Sequence, residues 1–227
     1  MLTRMLRCPK GRAPWLTARY VFFDNLKRGG MEEPVEIACG ELRLEGALER
    51  AAGTQGVVIT HPHPLYGGDM DNPVVTAIRL AVRRKEFTTL RFNFRGVGES
   101  DGRHGRGVDE RQDVQAAIAH LQALGVTEVD LAGYSFGSWV NAGVESGYRR
   151  MVMVSPPVAF MRFEEGLHLP NLSLVVAGDR DDFAPVLALQ TACRGWNPQA
   201  ALEIVPGADH FFGGAWRTLE DTIAAHL

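Results

Sequence analysis

Residues 129–139, VDLAGYSFGSW, constrain this chain more than any other stretch. An apolar run leads into Gly133-Tyr134-Ser135-Phe136-Gly137, a G-x-S-x-G sequence, and a helical pattern follows at once. Passing from a strand into a helix at a single serine requires a sharp turn. The serine must adopt strained dihedrals, and glycine on either side lets neighbouring backbone pass closely. Such a turn lifts the Ser135 hydroxyl above the end of a sheet. It also leaves the first helical N–H groups, beginning with Phe136, facing the place where negative charge would develop.

The rest of the chain supplies a sheet for that turn to stand on. The runs GVVITH (56–61) and TTLRFNF (88–94) are rich in β-branched and aromatic residues, and MVMVSPP (151–157) and LSLVVAGD (172–179) are continuous apolar runs stopped by Pro, Gly or Asp. Continuous runs suit strands buried on both faces. Helical patterns lie between them at 73–85, opened by Asn72-Pro73, and at 109–124, 136–147, 183–193 and 215–226. Ahead of this, PVEIACGELRLEGALE holds two alternating stretches broken at Cys39-Gly40, a hairpin signal. The alternation predicts an α/β fold, a mainly parallel central sheet with helices on both faces and with ligands at the carboxyl ends of the strands.

A serine is a weak nucleophile without a base and an acid to orient that base. His210, in EIVPGADHFF, is the histidine placed just past a late predicted strand. His104 falls in a Gly/Arg-rich loop, His120 inside a helix, His168 in a connection and His226 at the terminus, where packing or solvation is expected of them. The acid is one of Asp179, Asp181 and Asp182, which follow the strand ending in Gly178. A side chain three positions past that glycine can turn back over the sheet edge, which favours Asp181. Asp179 is expected to stabilise the turn through its own backbone, and Asp209 to act as a turn or cap residue.

Charge and composition narrow the partners. With 24 Lys+Arg against 27 Asp+Glu, the net charge of -3 gives no electrostatic case for nucleic acid or a membrane surface. A small-molecule acyl substrate is the expected partner, with the protein a monomer or homodimer. Three scattered cysteines, Cys8, Cys39 and Cys193, fit a reducing compartment, and a cytoplasmic location is expected. Residues 1–30 carry seven basic residues against one acid. They read as a basic extension, loosely ordered or lying upstream of a true start at Met31, with residues 31–227 forming one domain.

Taken in order, HPHPLYGG, RFNFRGVGESDG, GYSFGS, VSPPV, GDRDD and GADHFF resemble a small lidless bacterial α/β-hydrolase related to dienelactone hydrolases and small carboxylesterases. The resemblance spans residues 33–227. It implies a Ser135, Asp181, His210 triad, no cofactor, and an oxyanion hole shared by the N–H of Phe136 and the loop after the first parallel strand. Serine replaces the cysteine of dienelactone hydrolases proper, which leaves lactone specificity open. Within the loop ITHPHPLYGG, Pro62 and Pro64 have no N–H to donate, so His63 is the leading backbone donor and Leu65 the fallback. The His61 side chain would brace the loop from beneath.

His61 and His63 as metal ligands would need three or four convergent donors, and no further strand-end set follows. The glycines of FRGVGES lack a phosphate-loop lysine, so Arg95 and Glu99 are expected to pin that loop instead. Residues 159–171 are too few for a lid, so the site should be open, bordered by Tyr66, Phe160, Met161, Phe183 and Phe211. The expected chemistry is hydrolysis of an ester or thioester through an acyl-enzyme, a carboxylesterase-like activity. A non-catalytic binding protein of the same fold, an acyltransferase or peptidase on the same triad and, last, a metal-dependent hydrolase are the alternatives.

Overall fold

The computed structural model describes residues 31–227. Eight strands form one sheet: β1 (Glu33–Cys39), β2 (Leu42–Glu49), β3 (Gln55–Thr60), β4 (Thr88–Phe92), β5 (Glu128–Tyr134), β6 (Met151–Val154), β7 (Leu172–Gly178) and β8 (Ala201–Val205). Their order is β1-β2-β4-β3-β5-β6-β7-β8. β1 and β2 make the expected antiparallel hairpin, closed through Gly40 at φ +60. β2 also runs antiparallel to β4, and every pairing from β4 through β8 is parallel.

Two apolar layers explain why the strands read as unbroken hydrophobic runs. Val58, Leu131, Met153, Val175 and Ala177 point into one cluster, whereas Val57, Ile59, Ala132, Val152, Val154 and Val176 point into the other. α1 (Pro73–Arg83) and α5 (Trp216–His226) cover the second cluster; α2 (Glu110–Ala123), α3 (Phe136–Asn141) and α4 (Val186–Trp196) cover the first. With helices on both faces, neither side of a central strand meets water, and the period-2 signal disappears.

Two helices depart from their predicted extents. α3 stops at Asn141 rather than 147, because Gly143 N–H and Val144 N–H close i→i+3 turns on Val140 and Asn141 and the Gly143 backbone abuts the Arg111 side chain. α4 begins at Val186 rather than 183, since Pro185 keeps an extended ψ of 135 and disfavours helical dihedrals at Ala184 before it. Residues 155–171, between β6 and β7, hold no helix or strand, so no cap domain stands over the sheet. Among the described residues no helix is long and apolar enough to cross a membrane.

Strand order reverses around β3: β4 lies on one side of it and β5 on the other. That reversal opens a crevice at the carboxyl ends of β3 and β5, where loops diverge to opposite faces. Residues 61–68 follow β3 and Ser135 follows β5.

Candidate active site

Ser135 stands between β5 and α3 with φ 52 and ψ -115, a conformation a serine keeps only where its surroundings enforce it. The enforcement is visible. Ser135 N–H donates to Val154 O at 2.9 Å, and Ser138 Oγ donates to Gly133 O at 2.6 Å. A Cβ on Gly137 would lie 2.5 Å from Thr60 Oγ1, and one on Gly133 would lie 2.7 Å from Asn141 Nδ2. Both glycines are thus required by close approach, as the sequence pattern implied.

His210 follows β8 and directs Nε2 to Ser135 Oγ at 3.0 Å. Its Nδ1 lies 2.9 Å from both carboxylate oxygens of Asp181. A carboxylate only accepts, so Nδ1 carries the ring proton and Nε2 is left to accept from the serine hydroxyl. All three side chains are buried or nearly so. Burial of Asp181 works against its charge, but hydrogen bonding and charge from His210, with help from the Ser155 hydroxyl and the Ala184 N–H, outweigh it and hold the carboxyl below its ordinary range.

The other acids take other work. Asp179 accepts from Gly207 N–H at 2.7 Å, so it ties the end of β7 to the turn after β8 rather than bonding its own turn. Asp182 is exposed. Asp209 accepts from Phe211 N–H at 3.0 Å, the expected turn role. Tyr134 was not singled out in the sequence, yet its buried hydroxyl donates to His210 O at 3.0 Å and so fixes the histidine's backbone from the elbow itself. The unspecified position inside G-x-S-x-G carried no signal for this.

The loop after β3 resolves the His-x-His pair. His61 is fully buried, with Nδ1 2.7 Å from Pro62 O and Nε2 accepting from Phe94 N–H at 3.0 Å. Burial pulls its pKa down to about 4 against a small opposing effect of the Pro62 carbonyl. A neutral ring with both nitrogens engaged braces the loop and has no lone pair left for a metal. Among the described residues no group of three or more His, Cys, Asp or Glu side chains is arranged to hold one. His63 Nδ1 accepts from Leu65 N–H at 3.2 Å, which consumes the fallback donor. The N–H groups of His63 and Phe136 have no acceptor among the described residues, and their rings lie 4.7 Å apart.

Aromatic rings border the site. Phe183 stacks 4.6 Å from His210, Phe160 lies 5.6 Å from Phe183, Tyr66 6.3 Å from Phe160, and Phe211 5.6 Å from His210. These four are exposed. Met161 differs from its neighbours: it is half-buried against the hydrophobic cluster, in a turn where Pro157 O accepts from both Phe160 N–H and Met161 N–H. Arg95 pins its loop through Asp113, donating from Nη2 at 2.7 Å, and not through Glu99, whose side chain is exposed while its N–H bonds Glu45. His104, for which packing or solvation is expected, packs its ring 5.1 Å from that of His63 and 5.6 Å from that of Phe136.

Comparison with known proteins gives the same picture. Residues 57–227 match the alpha/beta hydrolase family. An uncharacterized protein of Rickettsia prowazekii is 31% identical over 187 residues, covering 76% of this chain and 79% of that one. Among solved structures, an alpha-beta serine hydrolase homologue from Coxiella burnetii superposes with a TM-score of 0.80 at 32% identity, over 86% of this chain and 97% of the other. A serine hydrolase without a lid from Xanthomonas campestris superposes with a TM-score of 0.77 at 25% identity, over 86% and 93%. The fold, the elbow and these similarities agree: the chain belongs to the alpha/beta hydrolase family.

Proposed function

We propose that the protein is a serine hydrolase that cleaves an ester or thioester of a small acyl substrate, a carboxylesterase-like reaction. The observation that carries this reading is the hydrogen-bonded line from Ser135 Oγ through His210 to Asp181, built on a strained elbow. In the first step His210 Nε2 takes the hydroxyl proton as Ser135 Oγ attacks the carbonyl carbon. Asp181 keeps the ring in the required tautomer and balances the imidazolium that forms. The N–H groups of Phe136 and His63 receive the oxyanion. The imidazolium then protonates the leaving alcohol or thiol, and water, activated by the same nitrogen, releases the acid from the acyl-enzyme.

The substrate's leaving group meets an open, aromatic-bordered surface rather than an enclosed chamber, which favours small, varied acyl groups. Action in the cytoplasm, as a monomer or homodimer, belongs to the same proposal. The test is direct. Ser135→Ala should abolish p-nitrophenyl acetate turnover and fluorophosphonate labelling while shifting thermal unfolding by no more than a few degrees. Turnover persisting in that variant would remove Ser135 from the mechanism.

A further inference from the structure

The aromatic border does not stop at Tyr66. Its ring lies 5.0 Å from that of His63, His63 lies 5.1 Å from His104, and His104 lies 5.6 Å from Phe136. The side of the site occupied by Phe160, Phe183 and Phe211 is apolar, whereas the side beside Phe136 carries imidazoles.

His104 is held there by several independent features. Gly96, at φ +75, leaves room for the incoming backbone: a Cβ there would lie 2.9 Å from Arg103 Cα and 3.1 Å from His104 N. Glu110, fully buried at the start of α2, accepts from Gly105 N–H at 2.7 Å and Gly107 N–H at 2.6 Å, folding the loop back on itself. The same carboxylate lies 2.8 Å from His104 Nδ1, close but off the line of a straight hydrogen bond. An acceptor-only carboxylate on that side keeps the proton on Nδ1. Nε2 has no partner among the described residues and is not enclosed.

A carboxylate-backed imidazole with one nitrogen open, against the two residues assigned to the oxyanion, can bind a polar group of the substrate. A hydroxyl suits it in either protonation state, because a hydroxyl can donate to neutral Nε2 or accept from protonated Nε2–H. We infer that His104, backed by Glu110, binds a hydroxyl on the acyl chain, so that the enzyme prefers hydroxyacyl esters over plain alkanoyl esters. This rests on the serine hydrolase reading above. His63 Nδ1 is already engaged by Leu65 N–H, and burial followed by the neighbouring His104 charge lowers its pKa, so it stands beside this group as a neutral ring.

The experiment compares kcat/KM for p-nitrophenyl butyrate and p-nitrophenyl 3-hydroxybutyrate in the wild type, His104→Phe and His104→Gln. Dividing each variant's ratio by the wild-type ratio cancels the intrinsic reactivity of the two esters. Phenylalanine keeps the ring packing and removes the nitrogen. It should cut the preference for the hydroxylated ester about tenfold, the cost of one lost hydrogen bond. Glutamine, which keeps a hydrogen-bonding end, should retain part of the preference. A wild-type enzyme that hydrolyses both esters without preference, or a His104→Phe loss equal on both, overturns the inference and leaves the serine hydrolase reading standing. Turnover of neither ester, with Ser135 unlabelled by fluorophosphonate, overturns that reading and the inference together.

Discussion

His61 shows how one residue can look like a ligand in sequence and act as a brace in the fold. Its ring is neutral when folded, with a pKa near 4, against an ordinary histidine value of 6.5. The unfolded chain therefore binds a proton at His61 between about pH 6.5 and 4 that the folded chain does not. Stability from this residue is complete above pH 6.5 and is lost as pH falls toward 4, by about 3 kcal/mol in all at about 1.4 kcal/mol per tenfold change in proton affinity. Urea midpoints measured from pH 7 to 4.5 should fall in the wild type and fall less in His61→Gln; equal slopes would mean that the acid sensitivity lies elsewhere. Asp181 acts in a separate window, because its lowered pKa costs stability only as pH drops below the ordinary carboxylate range. The free backbone N–H of His63 was legible because Pro62 and Pro64 flank it and remove the alternatives along the chain itself. The contacts of Tyr134 and His104 were not, because each depends on residues brought together only by tertiary structure: Tyr134 on the carbonyl of His210, 76 positions away, and His104 on Glu110 and the loop after β3.

At the level of elements, the sequence announced strands and helices wherever burial produced a pattern, and failed where side chains from elsewhere ended them. The early stop of α3 is set by such a contact, from Arg111. Strand order was equally hidden, since nothing in β2 alone says that it pairs with β4 as well as β1. One device that secures this placement is a buried ion pair. Glu49, at the end of β2, accepts from Arg79 Nη1 at 2.5 Å and lies 2.8 Å from Arg83 Nε, both on α1. Glu49 and Arg79 are buried, so removing Glu49 leaves the Arg79 charge in a dry setting with only Glu32, 3.6 Å from its Nε, to offset it. Glu49→Ala should cost roughly 3–5 kcal/mol in urea unfolding. Pairing it with Arg79→Leu should recover much of that loss; a double variant no better than the single would mean that the pair contributes through more than its mutual charge.

Across the whole molecule, the residues of the proposed site come from the carboxyl ends of four strands: the His63 backbone after β3, and the side chains of Ser135 after β5, Asp181 after β7 and His210 after β8. No local unit contains the site. A one-residue slip in any of the parallel pairings would separate Ser135 from His210, so the site's existence reports the register of the entire sheet. Among the described residues, both apolar clusters that fix this register draw on positions from Val35 onward, and residues 31–227 form a compact unit by contact. The basic residues 1–30, read from the sequence as an extension, lie outside the described residues. A chain beginning at Met31 should therefore fold, label at Ser135 with fluorophosphonate, and hydrolyse p-nitrophenyl acetate with kcat/KM within about twofold of the full chain. Because the site is spread over the sheet, its labelling and the far-UV circular dichroism should be lost over the same urea range, the signature of one cooperative transition. Labelling lost at clearly lower urea than the sheet signal would show instead that the loops bearing His210 and Asp181 open on their own, and that the sheet register alone does not hold the site together.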